Sequence, residues 1–441
     1  MMKPVKKNDW VFFFLVFCLL LTLAGCGSKT YLMPTPNVYT HPDLNPFADV
    51  PPVLQSNKVS VLYVTDRVPT KQTPGHWEYG YERSRSVAFG EAQVQIGDNL
   101  SWDALVQAGR SQNRKDKLEL KRVFTNELGR FNPTPSARVI SDTTVAVPDT
   151  EPPTSEAARR FTEELTARLA VTPRKEVFLY VHGFHNTFEN SVFTIAELWH
   201  FLGLEGVPLA YSWPCGEGGA FSYLYTISSG QFTNFHLKRT LRLIADCPAV
   251  EKIHIIAHSR GTDGAITAVR DLWLETRGTP GETAKLKLGT CVWAAADIDM
   301  EVDEQWNITE RVDGAVEAAA IYISHEDRAL AFATWLMGGK MRLGDVKPGF
   351  FTKEEMDVLQ SSQKVQIIDA RTGHHGLIGH NYFHHDPAVS SDLMLFLRYY
   401  LPAGGDQGRP LRVHENGFWL LHDKYPGSTW KLPMTQNPDK K

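Results

Sequence analysis

Between residues 155 and 402, short and almost continuously apolar runs alternate with segments whose apolar residues repeat at helical spacing. The runs are VFLYVH, VPLAYSW, IHIIAHS, GTCVWAAAD, AAIYISHED and KVQIIDA. Strands of this composition are typically buried on both faces, because crossover helices cover each side of a parallel sheet. The pattern predicts a doubly wound, mostly parallel α/β domain over residues 155–402, with helices at 191–204, 235–244, 262–276 and 389–400.

The carboxyl ends of these strands carry reactive side chains, which is where open α/β sheets place their sites. HGF follows the first run, SRG the third, HEDRAL the fifth, and RTGHHGLIGHNYFHHDP the last. In chain order, the third, fifth and last of these ends offer a serine, an acid and a histidine. This is the order that α/β hydrolases use for their catalytic residues.

Two of these motifs, AHSRG and VHGF, resemble the nucleophile elbow and the oxyanion loop of α/β hydrolases. With YVTDR, SWP, AADID, SHEDRAL and GHNYF they make residues 58–400 similar to a largely uncharacterised, esterase- and lipase-like group of bacterial α/β hydrolases. The resemblance implies an α/β-hydrolase sheet and a serine hydrolase, with carboxylic esters as the expected substrate class. Such an enzyme needs no cofactor and no metal.

Ser259 is the predicted nucleophile. A nucleophile elbow places its serine in a strained backbone region, so the residues two before and two after it must be small. Ala257 and Gly261 meet this requirement. The alternative is that Ser259 only caps the following helix, which is a common role for serine.

The resemblance points to His380, in GHNYF, as the general base. Asp327, after the fifth strand, is the expected acid that orients the imidazole. Asp297 and Asp299 follow the fourth strand and are the alternative acids.

The loop of His380 holds four further histidines: His374, His375, His384 and His385. The four-residue spacing of His380 and His384 would align both on one helix face, which leaves a metal site as an alternative. Gly379 and Pro387 favour a loop there.

By the same resemblance, the backbone N–H groups of Phe184 and Arg260 form the oxyanion hole, and Gly183 after His182 allows the tight turn. The side chain of Arg260 could bind an anionic substrate group or lie solvated at the rim. The aromatic, glycine-containing stretch SWPCGEGGAFSYLYTISSG is a candidate wall over the site, although packing in the core would explain the same residues.

The first 25 residues read as a secretory signal, in which three lysines precede an apolar run that ends in small residues. LAGC, ending at Cys26, resembles the lipobox of bacterial lipoproteins, which implies lipidation of Cys26 and anchoring in the cell envelope. Gly27 after the cysteine favours the outer membrane, with the protein facing the periplasm. A single membrane-spanning anchor is the alternative, but the apolar run is short for a span.

The rest of the chain divides by composition. Residues 26–57 are rich in proline and predict an extended tether, 58–150 predict a β-rich segment that packs on the core, and 403–441 form a C-terminal extension. Cys215, Cys247 and Cys291 allow one disulfide at most.

The formal net charge of −4 and the absence of basic clusters argue against nucleic acid as a partner. The expected partners are a small-molecule or lipid-like acyl substrate and the membrane, and the sequence leaves the oligomeric state open. Two rival functions stay open. One is a noncatalytic envelope binding protein on the same scaffold, and the other is a metal-dependent hydrolase that uses the histidine-rich loop.

Overall fold

The computed structural model describes residues 29–433, except 42, 115, 135, 141–142, 148–154, 218–219, 348, 363, 374–377 and 415–416. The predicted signal peptide, Cys26, His374 and His375 lie outside the described residues. Within the described chain, no helix is both long and apolar enough to span a membrane.

Most of the strands form one eleven-stranded sheet, in the order β12-β13-β11-β10-β9-β8-β6-β7-β1-β2-β3, while β4 and β5 pair separately. The strands are β1 Lys58–Thr73, β2 His76–Ile96, β3 Leu120–Arg130, β4 Ser136–Ile140, β5 Thr143–Val147, β6 Glu176–Val181, β7 Val207–Ser212, β8 Lys252–His258, β9 Leu288–Ala294, β10 Ala318–Ile323, β11 Val365–Arg371, β12 Arg412–Val413 and β13 Trp419–His422. Within this order, all neighbouring strands from β13 through β11, β10, β9, β8, β6 and β7 to β1 are parallel. The antiparallel pairs are β12–β13 at one edge and β1–β2 and β2–β3 at the other.

Helices cover both faces of this sheet. They are α1 Trp102–Gly109, α2 Glu156–Ala170, α3 Phe188–Phe201, α4 Ala220–Asp246, α5 Gly261–Thr276, α6 Glu282–Leu286, α7 Met300–Glu304, α8 Arg328–Leu336, α9 Lys353–Ser362, α10 Tyr382–His385 and α11 Pro387–Tyr399. One apolar cluster lies between the sheet and α3 and α11, and a second between the sheet and α2, α4 and α5. The predicted doubly wound, mostly parallel α/β fold is therefore confirmed.

Side-chain caps explain where several helices begin. The Ser155 hydroxyl accepts a hydrogen bond from the Ala158 N–H at 3.1 Å, and the Thr187 hydroxyl accepts one from the Asn190 N–H at 3.0 Å. Such caps satisfy N–H groups that have no partner inside the helix. The Thr187 cap starts α3 three residues before the predicted position, and α3 ends at Phe201.

The helix predicted at 235–244 is much longer, since α4 begins at Ala220. The aromatic stretch that the sequence offered as a wall over the site therefore supplies the first part of this helix. Its glycines and weak amphipathic pattern hid the helical period, because glycine lowers helix propensity. Tyr223 of this helix is buried.

The predicted tether at 26–57 is corrected by the structure from Leu32 onward. Leu32, Met33, Val38, Tyr39, Leu44, Phe47 and Val50 are buried in the cluster on the α3 side of the sheet. Short 3-10 helices at Asn37–Thr40 and Pro52–Leu54 interrupt this segment, and its apolar residues pack against the core. Burial of side chains this large favours a docked segment over a free one.

Both flanking regions belong to the main sheet. The β-rich segment adds β1, β2 and β3 to one side, and the C-terminal extension adds β12 and β13 to the other. Arg409 in the extension forms a fully buried ion pair with Asp392 of α11. Asp392 also accepts hydrogen bonds from Tyr322 and Tyr425, so the extension is tied to the core by a compensated charge.

The three cysteines of the described chain, Cys215, Cys247 and Cys291, are free thiols and are all buried. The disulfide that the sequence left open is therefore not formed among them.

Candidate active site

Ser259 stands in the turn between β8 and α5, with a left-handed backbone (φ 52°). This region is costly for a residue with a Cβ, so the turn needs support from its surroundings. The Ser259 N–H donates to the Ala294 carbonyl of β9 at 2.9 Å, and the Ser259 carbonyl accepts from the Thr262 N–H at 3.0 Å. The N-cap position of α5 is Arg260, and among the described residues no N–H of α5 donates to the Ser259 hydroxyl, so the alternative role as a helix cap does not fit this geometry.

Two glycines make the turn possible by letting main chains approach closely. A Cβ at position 183 would lie 2.6 Å from Ser259 Cβ and 3.2 Å from its Oγ. A Cβ at position 261 would lie 2.3 Å from the His182 carbonyl oxygen. Ala257 is fully buried on β8 beside Val181 of β6. The loop after β6 is therefore pressed against the serine.

Asp327 and His380 are brought together from two strand ends. His380 Nδ1 lies 2.7 Å from Asp327 Oδ2. The other oxygen, Oδ1, accepts hydrogen bonds from the N–H groups of Ala329 and Leu330, each at 3.0 Å, at the start of α8. The carboxylate thus has defined partners on both oxygens, and the imidazole is oriented with Nε2 free of protein partners among the described residues.

Electrostatics at this pair favour a basic imidazole. Burial lowers the pKa of His380, but the charge of Asp327 and the hydrogen bond to it raise the pKa by more, so the net shift is upward. A general base needs a pKa near its working pH and a fixed orientation.

His258, next to Ser259, holds the His380 segment in place. Its Nε2 lies 3.1 Å from the His380 carbonyl oxygen, and the two rings have centroids 4.7 Å apart. Burial and then the charge of His380 lower the pKa of His258 well below its usual value, so its neutral ring donates Nε2–H to that carbonyl. No hydrogen bond among the described residues joins Ser259 Oγ to His380, although catalytic contacts are often long in the absence of substrate.

Comparison with known families gives one match. Residues 157–396 match the family described as alpha/beta hydrolase of unknown function (DUF900). The chain belongs to this family. The match covers the strands and helices from α2 to α11 and confirms the α/β-hydrolase fold that the sequence motifs predict. A search of the curated proteins found no match to this chain.

In this α/β hydrolase, the alternative acids are engaged with other partners, although the charge of Asp297 also acts on His380. Asp297 is buried and forms an ion pair with Arg342 at 2.9 Å, and it accepts a hydrogen bond from the Tyr223 hydroxyl at 2.7 Å. Asp299 caps α7, accepting from the Glu301 N–H at 3.0 Å. Neither is among the hydrogen-bond partners of His380 in the described chain.

The Arg260 side chain is neither solvated at the rim nor free for an anion, which corrects both expectations. It is nine-tenths buried, forms an ion pair with Asp263 at 2.8 Å, and donates to the Asp297 carbonyl at 3.0 Å. The flanking carboxylates favour this arrangement because they compensate the buried charge.

Buried polar groups support the loop after β6, which is the proposed oxyanion loop. His182 Nε2 accepts from the Trp213 N–H at 3.0 Å, and its Nδ1 lies 2.8 Å from the Gly183 carbonyl oxygen. Burial and then the charge of Arg67 lower the pKa of His182 well below its usual value. His182 is therefore a neutral support of the loop. Phe184 packs edge-on against Tyr223, with ring centroids 5.6 Å apart.

Sequence reasoning missed two residues of this site, Arg67 and His258. Arg67, in the quoted motif YVTDR, is fully buried, and it donates to the Asn186 carbonyl at 2.8 Å and contacts His182 Nε2 at 3.3 Å. A charged residue at the end of a buried strand could have indicated it. His258 is the last residue of β8, and the apolar run before it gave no sign of its contact with the His380 carbonyl. Tyr223 lies in the aromatic stretch that the sequence offered as a wall over the site.

A cavity of about 800 Å³ opens beside the site on the α3 side of the sheet. His258, Asn381 and Asn186 line it on the side of the candidate site. The docked N-terminal segment, residues 29–34, and residues 112–114, 116 and 117 also line it. The cavity is large enough for a drug-sized ligand.

We expect Gly261→Ala to unfold at lower temperature than the wild type, with a loss of about 3 kcal/mol or more, because the new methyl group would overlap backbone oxygens that cannot move freely. Gly230→Ala is the control, since a Cβ there has nothing within 4 Å. Thermal unfolding followed by circular dichroism measures both. Equal midpoints for the two variants would contradict the close approach at the elbow.

Proposed function

We propose that the chain is a serine hydrolase, and that it is a carboxylesterase acting through an acyl-enzyme on Ser259. The observation that most supports this proposal is the Asp327–His380 hydrogen bond at the same sheet edge as the strained Ser259 turn. Fold alone would not support it, since the same scaffold serves many functions.

In the first half of the reaction, Ser259 Oγ attacks the ester carbonyl carbon while His380 Nε2 takes the hydroxyl proton. Asp327 holds Nδ1 and stabilises the imidazolium without taking the proton itself. The tetrahedral intermediate then collapses, the bond to the alcohol oxygen breaks, and His380 returns its proton to the leaving alcohol. Water repeats the sequence on the acyl-enzyme and releases the acid.

The N–H groups of Phe184 and Arg260 are the proposed oxyanion donors. Neither N–H is engaged in a hydrogen bond to another described residue. Because Gly183 has no side chain, Ser259 Oγ lies close to the loop after β6, which carries the Phe184 N–H. Each such donor contributes about 3 kcal/mol to the stabilisation of the transition state in hydrolases.

The substrate that we propose is a small-molecule or lipid-like acyl ester. The cavity supports this, because it is lined by His258 and Asn381, the sequence neighbours of Ser259 and His380, and because its lining includes apolar side chains such as Phe193 beside charged ones. We propose no cofactor for this reaction.

We expect a fluorophosphonate probe to label the purified protein at one residue, Ser259, because only an activated serine reacts with it. Ser259→Ala should abolish the labelling. Ser324→Ala is a matched control, since Ser324 also follows a strand, but its hydroxyl accepts from the Glu326 N–H at 3.3 Å and forms no hydrogen bond with the Asp327 or His380 side chain among the described residues. Absence of labelling in well-folded wild type would contradict catalysis and favour a noncatalytic binding protein.

The expected pH dependence of the activity follows from the protonation of His380, the proposed base. His380 must be neutral to accept the serine proton, so activity is lost as the pH falls through its pKa. Because the pKa of His380 is raised from 6.5, the acid midpoint of kcat/KM on a short-chain 4-nitrophenyl ester should lie above pH 6.5.

Asp327→Asn should lower kcat on the same ester by about 10⁴-fold, because the imidazole would lose the group that orients it.

Asp299→Asn is the control for that measurement, since Asp299 caps α7 and should leave the rate almost unchanged. If Asp299→Asn or Asp297→Asn lost activity while Asp327→Asn kept it, the assignment of the acid would be wrong.

For the location, we propose a lipid anchor at Cys26 in the bacterial cell envelope, on the periplasmic side of the outer membrane. The charged start, the apolar run and LAGC support this proposal. Radiolabelled palmitate supplied to expressing bacteria should label the wild type and Cys18→Ser, but not Cys26→Ser. Label on Cys26→Ser, or none on the wild type, would contradict it.

A further inference from the structure

A cluster of potential metal ligands lies beside the candidate active site and takes no part in the proposed reaction. It consists of Glu197 on α3 and of His384 and His385 on α10, whose ligand atoms all lie within 4.8 Å of one another. His384 Nδ1 is 2.6 Å from Glu197 Oε1, and Glu197 Oε2 accepts the Met33 N–H at 2.8 Å. Three distant parts of the chain therefore meet at this carboxylate.

The cluster differs from the metal arrangement that the sequence suggested. His380 and His384 do not share a partner, because His380 pairs with Asp327 whereas His384 turns to Glu197. The short helix α10 separates the two roles. Glu197 lies far away in sequence, so spacing alone could not indicate it.

The Glu197 carboxylate has no lysine or arginine within ion-pair distance among the described residues, and the charge of Arg114 acts on it only from further away. It is also buried. A buried carboxylate next to two imidazoles is an environment that a bound dication would stabilise, since its charge compensates the desolvated group.

The cluster is also open to solvent. Glu197, His384 and His385 all line the cavity of about 800 Å³, and His385 is exposed. An ion can therefore enter, and a coordination position facing the cavity can be filled by water.

We propose that Glu197, His384 and His385 bind one divalent transition-metal ion of the zinc class. Two imidazoles and one carboxylate are ligands that zinc accepts, with bonds of about 2.0–2.2 Å, while calcium and magnesium prefer all-oxygen sets. The ion replaces the hydrogen bond between His384 and Glu197, and the imidazole nitrogen that faces it must carry no proton.

Such an ion would join α3, α10 and the segment around Met33. Because α10 begins only two residues after His380, the ion would restrain the loop that holds the proposed base. The site is thus a structural support of the loop, and its occupancy does not depend on whether Ser259 is catalytic.

The test uses the purified protein with any affinity tag removed, treated with a chelator and dialysed. Titration with Co²⁺ should saturate at one ion per chain and give the intense visible absorption of a four-coordinate site, which Zn²⁺ then removes. Zn²⁺ should also raise the thermal midpoint, because it binds the folded chain in preference to the unfolded one. Ser259→Ala should bind equally well.

Glu197→Gln and His385→Asn should each weaken Co²⁺ binding by at least about 10-fold. His385 is exposed, so its substitution leaves folding intact even if Glu197→Gln does not fold. His76→Asn, an exposed histidine on β2, is the matched control and should bind as the wild type does. No stoichiometric uptake by the wild type, or unchanged uptake by His385→Asn, would overturn the proposal.

Discussion

The close approach of the β6 and β8 strand ends is the constraint on which the site depends. Val181 and Ala257 are paired in register, so the loop after β6 and the turn after β8 leave the sheet at the same level. Glycine at 183 and at 261 removes the two Cβ atoms that would collide there. With either side chain present, the serine would move away from the loop that it faces, and the left-handed turn would lose its support.

The candidate site also depends on the compensation of the buried charges around the Ser259 turn. The buried guanidinium groups around the turn belong to Arg67, Arg260 and Arg342, and each contacts groups that accept its hydrogen bonds or balance its charge. His182 and His258 are kept neutral by burial and by neighbouring positive charge. Because burial keeps the rings of His182 and His258 neutral, His380 beside Asp327 is the imidazole that we propose as the base.

Much of the architecture could be predicted from local pattern. The strand ends of the central sheet follow from apolar runs that stop at small or polar residues, and the observed strands agree to within a few residues. The errors fall where the local signal is weak. Helix α4 starts among glycines and aromatics, and the segment after Leu32 looks like a linker because its prolines interrupt any period. The helix and the segment are both ordered by contacts with distant parts of the chain, and a short stretch of sequence contains no sign of such contacts.

The candidate site shows the same division. The sequence by itself determined the order of serine, acid and histidine, the small residues that an elbow needs, and the strand ends at which to look for them. Tertiary structure decided which acid meets the histidine, since Asp327 and Asp297 follow neighbouring strands and differ only in what packs against them. It also brought Glu197 to His384 across 187 positions of sequence. The physical reason is that periodicity and turn chemistry act over a few residues, whereas the pairing of charges is set by how sheet and helices pack.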